Sequence, residues 1–474
     1  MQIFTLGVNA AIAMTTIELM SAEHPFLPEL FAALPEGAVS SAAEDLKYYA
    51  VDQGPVLDLQ LPLAVVWPVE VGQVQKVVRL AGQHGISVIS RGAGTGVSGG
   101  AHATENSIVL NLERMNQILE IHPEDEVAIV EPGVINHQLN EAVRPYGLMY
   151  APDPASYRYS TLGGNIATNA GGLRCAKYGV TRDSVLALDV VLADGSLIHT
   201  GHRTFKGVAG YDLTALFIGS EGTLGIVVGA TVRLKYLPIN SRTLAIFFQD
   251  FRTAAAGVLA VGKARIQPAI MELLDGASLV DIDQRMNSTL RARGGALLLI
   301  QTDGFGADAE ADGIAAAVAP LGGTLYLEDP EEAHRLLELR RNSRGMDADL
   351  DTRVGEDIAV PRSKLVDYIA ETELLAQRHR VNVRVVAHAG DGNLHPTFWI
   401  EEASDEGIER LNKALDESVE LALTMGGTIT GEHGVGQFKL RWLGQEIAPE
   451  VLALEHRLKR LFDPAELLNP GKAI

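Results

Sequence analysis

The segment formed by residues 91–100 constrains the fold of this chain most strongly, because five of its ten residues are glycine. An apolar stretch at residues 86–90 precedes it and predicts a strand. Glycine allows positive φ angles and a close approach of the backbone to a ligand. Successive exposed N–H groups in such a loop form an anion-binding concavity. The segment therefore predicts a loop that binds a pyrophosphate group.

Part of this loop, residues 94–99, matches the dinucleotide-binding pattern G-x-G-x-x-G. In a dinucleotide-binding fold the pattern must open a helix. Here the loop continues to a second predicted strand at residues 108–112, which leaves no room for a helix. A nicotinamide dinucleotide site is therefore disfavoured, and a glycine-rich turn without a ligand is the alternative.

Two further glycine-rich segments precede residue 230. Residues 161–172 contain too much Gly, Asn and Thr for a core element, and they offer many backbone donors to a ligand. The prolines in residues 152–155 fix an extended approach to this segment. The third segment, residues 219–225, leads into a predicted strand. Three such loops favour one long ligand, FAD, with its pyrophosphate, adenine and isoalloxazine shared among them.

The order of predicted elements divides the chain into four parts. Residues 71–84 have apolar residues at helical spacing and end at Gly85, and Asp194-Gly195 predicts a hairpin turn. After residue 238, strands alternate with helices in a way that favours an α+β domain over an antiparallel sheet. The predicted parts are a helical lead-in (1–57), an FAD-binding domain (58–237), a substrate or cap domain (238–430) and a C-terminal segment that completes the active site (431–474).

Two histidines flank a predicted hairpin turn at Asp391-Gly392. A two-residue turn there would place His388 directly opposite His395, with Cβ atoms about 5 Å apart. Two imidazoles so placed can chelate one metal ion. The helical H-E-x-x-H pattern is absent, so a zinc peptidase is not predicted.

Glu432 and His433 lie in a second glycine-rich frame, residues 426–436. Neighbouring side chains of an extended segment face opposite ways, so one could bind a metal while the other has a different role. Two histidines and one carboxylate suit a divalent metal, with zinc favoured and iron or manganese as alternatives. Each histidine alone is more often a hydrogen-bonded structural residue, but three candidate ligands inside glycine-rich loops favour a metal site.

Composition restricts partners and location. The net charge of −21 argues against nucleic acid or an anionic membrane surface as the main partner. The single cysteine, Cys175, excludes a disulfide framework or an iron–sulfur cluster built from this chain. No apolar run reaches transmembrane length, and residues 1–20 lack the basic region of a signal peptide. A cytoplasmic protein is expected, not an integral membrane protein, and any membrane attachment is expected to be peripheral, through a partner.

Taken together, these motifs resemble the vanillyl-alcohol-oxidase/p-cresol-methylhydroxylase flavoprotein superfamily. Within it, the chain is similar to the FAD-linked D-2-hydroxy-acid dehydrogenases, which include D-lactate dehydrogenase, the flavin subunit of glycolate oxidase and D-2-hydroxyglutarate dehydrogenase. The resemblance covers roughly residues 40–474. Its motifs are residues 91–100, 152–172, 219–225, 388–395, 431–436, 462–464 and 469–471.

The resemblance implies an α+β fold. A two-part FAD-binding domain of the p-cresol-methylhydroxylase type would be joined to an α+β cap domain with an antiparallel sheet, and the C-terminal segment would return to the flavin. Some members attach FAD through a histidine in the first loop. Residues 91–100 contain no histidine, so noncovalent FAD is expected. The residues implied to contact FAD are Arg91, Gly92, Ala93, Gly94, Thr95, Gly96, Ser98, Gly99, Pro152, Asp153, Ser156, Thr161, Gly163, Gly164, Asn165, Thr168, Asn169, Gly171, Gly172, Glu221, Gly222, Gly225, Ile226 and Asn469.

The resemblance also implies roles for the histidine-rich motifs. A divalent metal would be bound by His388, His395 and Glu432, and His433 would act as the base. Asn393 would contact the substrate. Arg340 is similar to the carboxylate-binding arginine of the family, although the nearby Arg341 and Arg344 are alternatives.

The implied reaction is metal-assisted oxidation of a D-2-hydroxy acid to the 2-oxo acid, with hydride transfer to flavin N5. D-lactate or glycolate is the favoured substrate, and D-2-hydroxyglutarate is an alternative. The sequence is also compatible with a metal-independent flavin alcohol oxidase or with a non-catalytic flavin-binding subunit. The electron acceptor is open among a quinone, an electron-transfer flavoprotein, an iron–sulfur partner subunit and dioxygen. A homodimer or a heteromeric complex is compatible with the sequence.

Overall fold

The computed structural model describes residues 25–344 and 352–474. The first 24 residues of the predicted helical lead-in lie outside the described residues. None of the described helices is long and apolar enough to cross a membrane.

A small mixed sheet forms the first part of the fold. Its elements are α1 (Phe26–Ala33), β1 (Val39–Ser40), α2 (Ala43–Tyr49), β2 (Ala64–Val66), α3 (Val71–His84), β3 (Ser87–Arg91) and β4 (Ser107–Asn111). The strand order is β1-β2-β4-β3, with β1 antiparallel to β2 and the other pairs parallel. Helix α3 has the predicted bounds and ends at Gly85, whose φ of 65° is left-handed. The glycine-rich segment joins β3 directly to β4 without a helix, as predicted.

A five-stranded antiparallel sheet forms the second part. Its elements are β5 (Ile118–His122), β6 (Val127–Val130), α4 (Asn136–Val143), β7 (Leu148–Met149), α5 (Leu162–Thr168), α6 (Cys175–Tyr178), α7 (Thr181–Ser184), β8 (Val185–Val191), β9 (Leu197–Gly201), α8 (Leu213–Phe217), β10 (Ile226–Arg233) and β11 (Lys235–Tyr236). The strand order is β5-β6-β10-β8-β9, while β7 pairs with β11 separately. The predicted hairpin at Asp194-Gly195 is confirmed as β8–β9.

Helix α5 contradicts the prediction that residues 161–172 form no core element. Thr161 caps the helix by accepting a hydrogen bond from the N–H of Gly164 at 3.3 Å. Leu162 and Ile166, one helical turn apart, are fully buried. A Cβ atom on Gly163 would lie 2.6 Å from Cβ of Pro132, so glycine is required for close packing there. The glycines thus bring a short helix against the core as well as exposing backbone.

The cap domain is built on an eight-stranded antiparallel sheet. Its elements are β12 (Ser241–Phe248), α9 (Phe251–Lys263), β13 (Ile270–Leu274), α10 (Gly276–Met286), β14 (Ala296–Asp303), α11 (Ala307–Val318), β15 (Thr324–Glu328), α12 (Pro330–Arg341), β16 (Arg353–Gly355), β17 (Ile358–Ala359), α13 (Leu365–His379), β18 (Asn382–His388), β19 (Asn393–Trp399) and α14 (Asp405–Thr424). The order is β15-β12-β14-β13-β18-β19-β16, with β17 also paired to β19. Alternate residues of β12 pack against helices on opposite faces. The predicted α+β domain is confirmed.

The hairpin β18–β19 differs in register from the prediction. The structure pairs His388 with Asn393 and Val386 with His395, whereas a two-residue turn would pair the two histidines. The N–H groups of Asp391 and Gly392 both donate to the carbonyl of His388, at 3.3 and 3.2 Å, which closes a four-residue loop. His388 and His395 still share a face, because His395 lies two residues beyond the partner of His388.

The C-terminal segment returns to the first sheet. It contains α15 (Leu440–Glu446) and α16 (Pro449–Phe462). After α16, Leu468 forms a parallel bridge with Val88 of β3. At the other end of the described chain, β1 pairs with β2 and so joins residues of the predicted lead-in to the same sheet. The domain boundaries at residues 57, 237 and 430 stay a prediction.

Candidate active site

A cavity of about 940 Å³ lies between the loops of the FAD-binding part and the cap sheet. All three glycine-rich segments line it, and Glu432 and His433 lie on its wall. Most of the predicted FAD contacts line this cavity, namely Arg91, Gly92, Ala93, Gly94, Thr95, Gly96, Ser98, Ser156, Thr161, Gly163, Gly164, Asn165, Thr168, Gly171, Glu221, Gly222, Gly225 and Asn469. The others lie outside the lining, namely Gly99, Pro152, Asp153, Asn169, Gly172 and Ile226. The individual contacts to FAD stay a prediction.

The first loop presents its backbone to the cavity. Within the described residues, no hydrogen bond uses the N–H groups of residues 92–98 as donors. A Cβ atom on Gly92 would lie 2.1 Å from Oγ1 of Thr161. Gly94 has a left-handed φ of 66°, and a Cβ atom there would overlap the guanidinium of Arg91. The glycines are therefore required by the fold of the loop, and its free donors suit an anion.

A buried contact between Asp52 and His102, which sequence reasoning missed, holds the far end of this loop. The carboxylate of Asp52 accepts hydrogen bonds from the N–H groups of Gly54 at 2.8 Å and Ala101 at 3.1 Å. His102 Nε2 lies 2.9 Å from Oδ1 of Asp52, and both side chains are almost fully buried. Burial opposes ionisation of Asp52, but its bonds to His102 outweigh burial and lower its pKa. No local motif marks Asp52, because Ala101 and His102, the partners that tie it to the loop, lie about fifty residues away.

Asn469 joins three segments beneath the cavity. Its Oδ1 accepts the N–H of Ser90 at 3.0 Å. Its Nδ2 donates to the carbonyls of Glu221 at 2.6 Å and Gly100 at 3.3 Å. The amide thus holds the first and third glycine-rich loops against the C-terminal segment.

Glu221 connects the third loop to the histidine-containing segment. Its fully buried carboxylate accepts the N–H groups of Val435 at 2.7 Å and Gly436 at 2.8 Å. Burial raises its pKa to about 7, against the effect of these hydrogen bonds. The FAD-binding part and the candidate catalytic segment are therefore held together at the cavity wall.

Three imidazoles converge on one carboxylate oxygen at the end of the cavity. The Nε2 atoms of His388, His395 and His433 lie 3.4, 3.3 and 3.5 Å from Oε1 of Glu432. Burial lowers the pKa of His395 to about 4. Burial also opposes ionisation of Glu432, but the nearby histidines, His388 above all, outweigh it and lower the pKa well below its ordinary value. The predicted metal ligands and the predicted base are thus brought together.

Glu272, another residue that sequence reasoning missed, supports His388 from behind. Its Oε1 lies 2.8 Å from Nδ1 of His388, and its Oε2 lies 2.6 Å from Nη2 of Arg340. Glu272 is fully buried in β13, directly opposite His388 in β18. Burial opposes protonation of His388, but the carboxylates of Glu272 and Glu432 outweigh it and raise its pKa well above the ordinary value. Arg340 lies outside the cavity lining in this arrangement.

Asp357 explains why Glu432 and His433 face the same cluster, contrary to the expectation for an extended segment. Its buried Oδ2 accepts the N–H groups of Gly431, Glu432 and His433 at 2.9, 3.0 and 2.9 Å. This tight turn replaces the alternation of a strand. The other oxygen, Oδ1, accepts Nδ2 of Asn393 at 2.8 Å. The only sequence signal for Asp357 is an acidic pair inside an otherwise apolar stretch.

Comparison with known proteins identifies the family. Residues 62–201 match the family described as FAD binding domain, and residues 237–473 match that described as FAD linked oxidases, C-terminal domain. The chain is 41% identical to glycolate oxidase subunit GlcD of Bacillus subtilis, over 90% of this chain and 91% of that protein. It is 36% identical to D-lactate dehydrogenase of Archaeoglobus fulgidus, over 86% of this chain and 91% of that protein. The chain belongs to the FAD-linked oxidase family.

The fold of this FAD-linked oxidase is similar to that of p-cresol methylhydroxylase determined with substrate bound. The TM-score is 0.79 at 19% identity, covering 94% of this chain and 96% of that one. At this identity the likeness establishes the fold alone. It confirms the predicted two-part FAD-binding domain and the cap with an antiparallel sheet.

The residues around the cavity of this FAD-linked oxidase fit FAD. The unused N–H groups of residues 92–98 suit the pyrophosphate, since such groups hold anions without a cationic side chain. The cavity volume of about 940 Å³ is within the range of cofactor pockets. The small residues Gly164 and Gly171 leave room along the wall for flat rings.

The donor set at the end of the cavity also fits a divalent metal. Ligand atoms of His388, His395 and Glu432 all lie within 4.8 Å of one another. Two ligands of a tetrahedral metal, each about 2.0–2.1 Å from it, are about 3.3 Å apart. The Nε2 to Oε1 distances of 3.4 and 3.3 Å match this spacing. The bond from His388 Nδ1 to Glu272 leaves Nε2 free for a metal, as in other metal-binding histidines.

Arg341 lines the cavity on the cap side, unlike Arg340. Its Nη2 donates to Oδ2 of Asp153 at 2.6 Å and its Nη1 to the carbonyl of Asp153 at 3.1 Å. Asp153 is therefore engaged with the cap domain. The side chain of Arg344 lies outside the described residues.

Proposed function

We propose that this FAD-linked oxidase oxidises a D-2-hydroxy acid to the 2-oxo acid with the help of a divalent metal. The observation that carries the proposal is the convergence of His388, His395, His433 and Glu432 at one end of the FAD cavity. The names of two relatives, a glycolate oxidase subunit and a D-lactate dehydrogenase, support a 2-hydroxy acid as the substrate class.

The chain has residues suited to bind both FAD and the divalent metal. When bound, FAD supplies a two-electron acceptor and the metal supplies Lewis-acid chemistry, which favours ionisation of a substrate hydroxyl. His388, His395 and Glu432 would hold the metal, with zinc favoured over iron or manganese. The free N–H groups of residues 92–98 would hold the pyrophosphate of noncovalent FAD.

His433 is the proposed general base. It lines the cavity, and its Nε2 belongs to the same cluster as the proposed metal ligands. Its Nδ1 lies 3.8 Å from the buried carboxylate of Asp357. That negative charge stabilises the imidazolium formed when His433 takes the hydroxyl proton, as a buried carboxylate does for the histidine of other acid–base sites. General-base assistance is typically worth about 10²–10⁴-fold in rate.

Two further predicted residues support the site from outside the cavity lining. Arg340 pairs with Glu272, so we assign it a positioning role behind His388 in place of the carboxylate-binding role expected from the resemblance. Asn393 donates to Asp357 and to the carbonyl of Ile358, while its Oδ1 has no partner among the described residues. That free oxygen is consistent with a contact to substrate.

The electron acceptor completes the proposal. With one cysteine in the chain, an iron–sulfur relay would require a partner subunit, and a quinone, an electron-transfer flavoprotein or dioxygen could also accept the electrons. A cytoplasmic location, with peripheral membrane attachment only through a partner, suits the net charge of −21.

Metal-dependent turnover tests this proposal. Purified holoenzyme would be assayed with an artificial dye acceptor and D- and L-lactate, glycolate and longer 2-hydroxy acids. The assay would be repeated after chelation and after metal is restored. We expect turnover of a D-acid, its loss on chelation and its recovery with the metal. Full turnover after the metal has been removed, verified by elemental analysis, would support a metal-independent flavin oxidase.

A further inference from the structure

Five arginines line the cavity among the described residues, and four of them have their guanidinium groups engaged. Arg91 donates to the carbonyl of Val51. Arg158 pairs with Glu338 and Arg341 with Asp153. Arg285 pairs with Asp281 and also donates to the carbonyls of Asn342 and Ser343. The fifth is Arg353.

The guanidinium of Arg353 has no hydrogen bond and no acidic partner within residues 25–344 and 352–474. Its guanidinium carbon lies 5.6 Å from the centroid of the Trp399 ring, and its side chain is partly buried. The positive charge of an arginine is permanent at physiological pH. A partly buried cation without a counter-ion is costly, so a ligand that supplies an anion would be bound favourably.

Strand register places Arg353 on the same face of the cap sheet as the metal-site histidines. Arg353 is opposite Trp399, and Gly355 is opposite Thr397. His395 lies two residues before Thr397 on β19, so His395, Thr397 and Trp399 share one face. Each step of two residues along a strand covers about 6.6 Å. Arg353 therefore lies two such steps, about 13 Å, from the level of His395, a gap that its long side chain would cover in part and a substrate extending from His395 would cover in part.

Two residues with little or no side chain line the cavity near Arg353. Gly355 has no side chain, and Thr397, which lies opposite Arg384 in the sheet, presents a small polar one. A wall suited to the methyl group of lactate would instead be apolar and close. The chain as a whole carries a net charge of −21, so acidic side chains outnumber basic ones. The guanidinium of Arg353 nevertheless has no acidic partner among the described residues.

We infer that Arg353 binds a second anionic group of the substrate, so that the preferred substrate is a D-2-hydroxy dicarboxylate and neither D-lactate nor glycolate. The inference rests on the proposed function, since it assumes that the 2-hydroxy acid end of the substrate is bound at the histidine cluster. The distal carboxylate would lie over Gly355 and Thr397, within reach of the planar guanidinium fork. Arg353 is then the residue that determines substrate specificity.

The test compares kcat/KM for D-malate, D-2-hydroxyglutarate, D-lactate and glycolate in the native holoenzyme and in two variants. We expect the native protein to prefer a dicarboxylate. Arg353→Met removes the charge but keeps the length, and it should lower kcat/KM for the dicarboxylate roughly 10–100-fold, as expected for a lost charged hydrogen bond. Activity on D-lactate should change less than about threefold, and Arg353→Lys should restore part of the loss.

Arg242→Met is the matched control, because Arg242 pairs with Asp308 on the exposed surface of the cap. FAD content and melting temperature of each variant show whether it is folded. Equal losses on D-lactate and on the dicarboxylates, or a native preference for D-lactate or glycolate, would overturn the role of Arg353 while leaving the proposed function intact. If the native holoenzyme oxidised none of these 2-hydroxy acids, the proposed function itself would be overturned.

Discussion

At the scale of single residues, the proposed chemistry depends on side chains that the fold gathers from distant parts of the sequence. His388, His395, Glu432 and His433 could be selected from the sequence because they stand in glycine-rich hairpins and turns. Their exact pairing could not, because a four-residue loop replaced the two-residue turn at Asp391-Gly392. The prediction of a shared face still held, since a shift of two residues preserves the alternation of a strand.

Replacing His433 with alanine removes the proposed base without touching the pyrophosphate loop. We expect His433→Ala to lower kcat by about 10²–10⁴-fold, the usual value of general-base assistance, with FAD still bound. The measurement is steady-state kinetics together with the flavin spectrum. His199→Ala is the control, because His199 is exposed and pairs only with Asp189 among the described residues. Native activity in the His433 variant would exclude the assigned role.

Glu272 fixes the ring of His388 through a bond of 2.8 Å to Nδ1. The variant Glu272→Gln should therefore weaken metal binding by about 10–100-fold, as loss of such supporting carboxylates does elsewhere. Calorimetric titration of the metal-free protein measures this directly and is independent of turnover. Glu328→Gln, in which an acid at the edge strand β15 loses its ion pair with Arg293, provides the comparison. Unchanged metal affinity would show that Glu272 has only a structural role.

At the scale of elements, loops and short turns carry the site, and strands position them. The sequence could predict that residues 91–100 connect two strands without a helix, because the second predicted strand begins too few residues later for a helix to fit. The roles of Asp52, Glu272 and Asp357 could not, since their partners come from segments far along the chain and no local pattern marks them. Helix α5 was missed because glycine and asparagine are poor predictors of a buried helix.

The affinity for FAD should depend on pH, because two buried groups beneath the first loop, Glu221 and Lys472, titrate near neutral pH. Burial raises the pKa of Glu221 to about 7 and lowers the pKa of Lys472 to about 7. As the pH rises from about 6 to about 8, Glu221 gains a negative charge and Lys472 loses a positive one. Both changes make the site more negative, so the affinity for the anionic pyrophosphate should fall, by no more than about tenfold per pH unit for each group.

Fluorescence titration of apoprotein with FAD at several pH values measures this dependence. The variant Glu221→Gln should show a shallower dependence, because one of the two titrating groups has been removed. Glu105→Gln, a change at an exposed glutamate, should keep the native profile. An affinity that is constant or rises over this pH interval would show that the two groups do not control FAD binding.

At the scale of the whole molecule, the two halves must stay docked for the cavity to exist. Asp303 of the cap accepts a hydrogen bond from the hydroxyl of Tyr178 at 2.6 Å and pairs with Lys177, both in the FAD-binding part. Arg341 and Asp153 form a second contact of 2.6 Å between the halves. Such long-range pairs could not be predicted from sequence, although the two-domain architecture could.

The variant Asp303→Ala leaves Lys177 and Tyr178 without their shared partner. We expect a loss of about 1–3 kcal/mol in stability, seen as a melting temperature several degrees lower. Asp308→Ala, which removes an exposed ion pair with Arg242, should have little effect. If both variants melt at the native temperature, Asp303 does not stabilise the docked arrangement.

The most direct test of the central claim is the anaerobic visible spectrum of the holoenzyme, titrated with D- and L-2-hydroxy acids. We predict that a D-acid bleaches the flavin absorption band, that its L-enantiomer does not, and that prior removal of the metal prevents the bleaching. A flavin that no 2-hydroxy acid reduces would contradict the proposed reaction and favour an alcohol oxidase or a non-catalytic flavin-binding subunit.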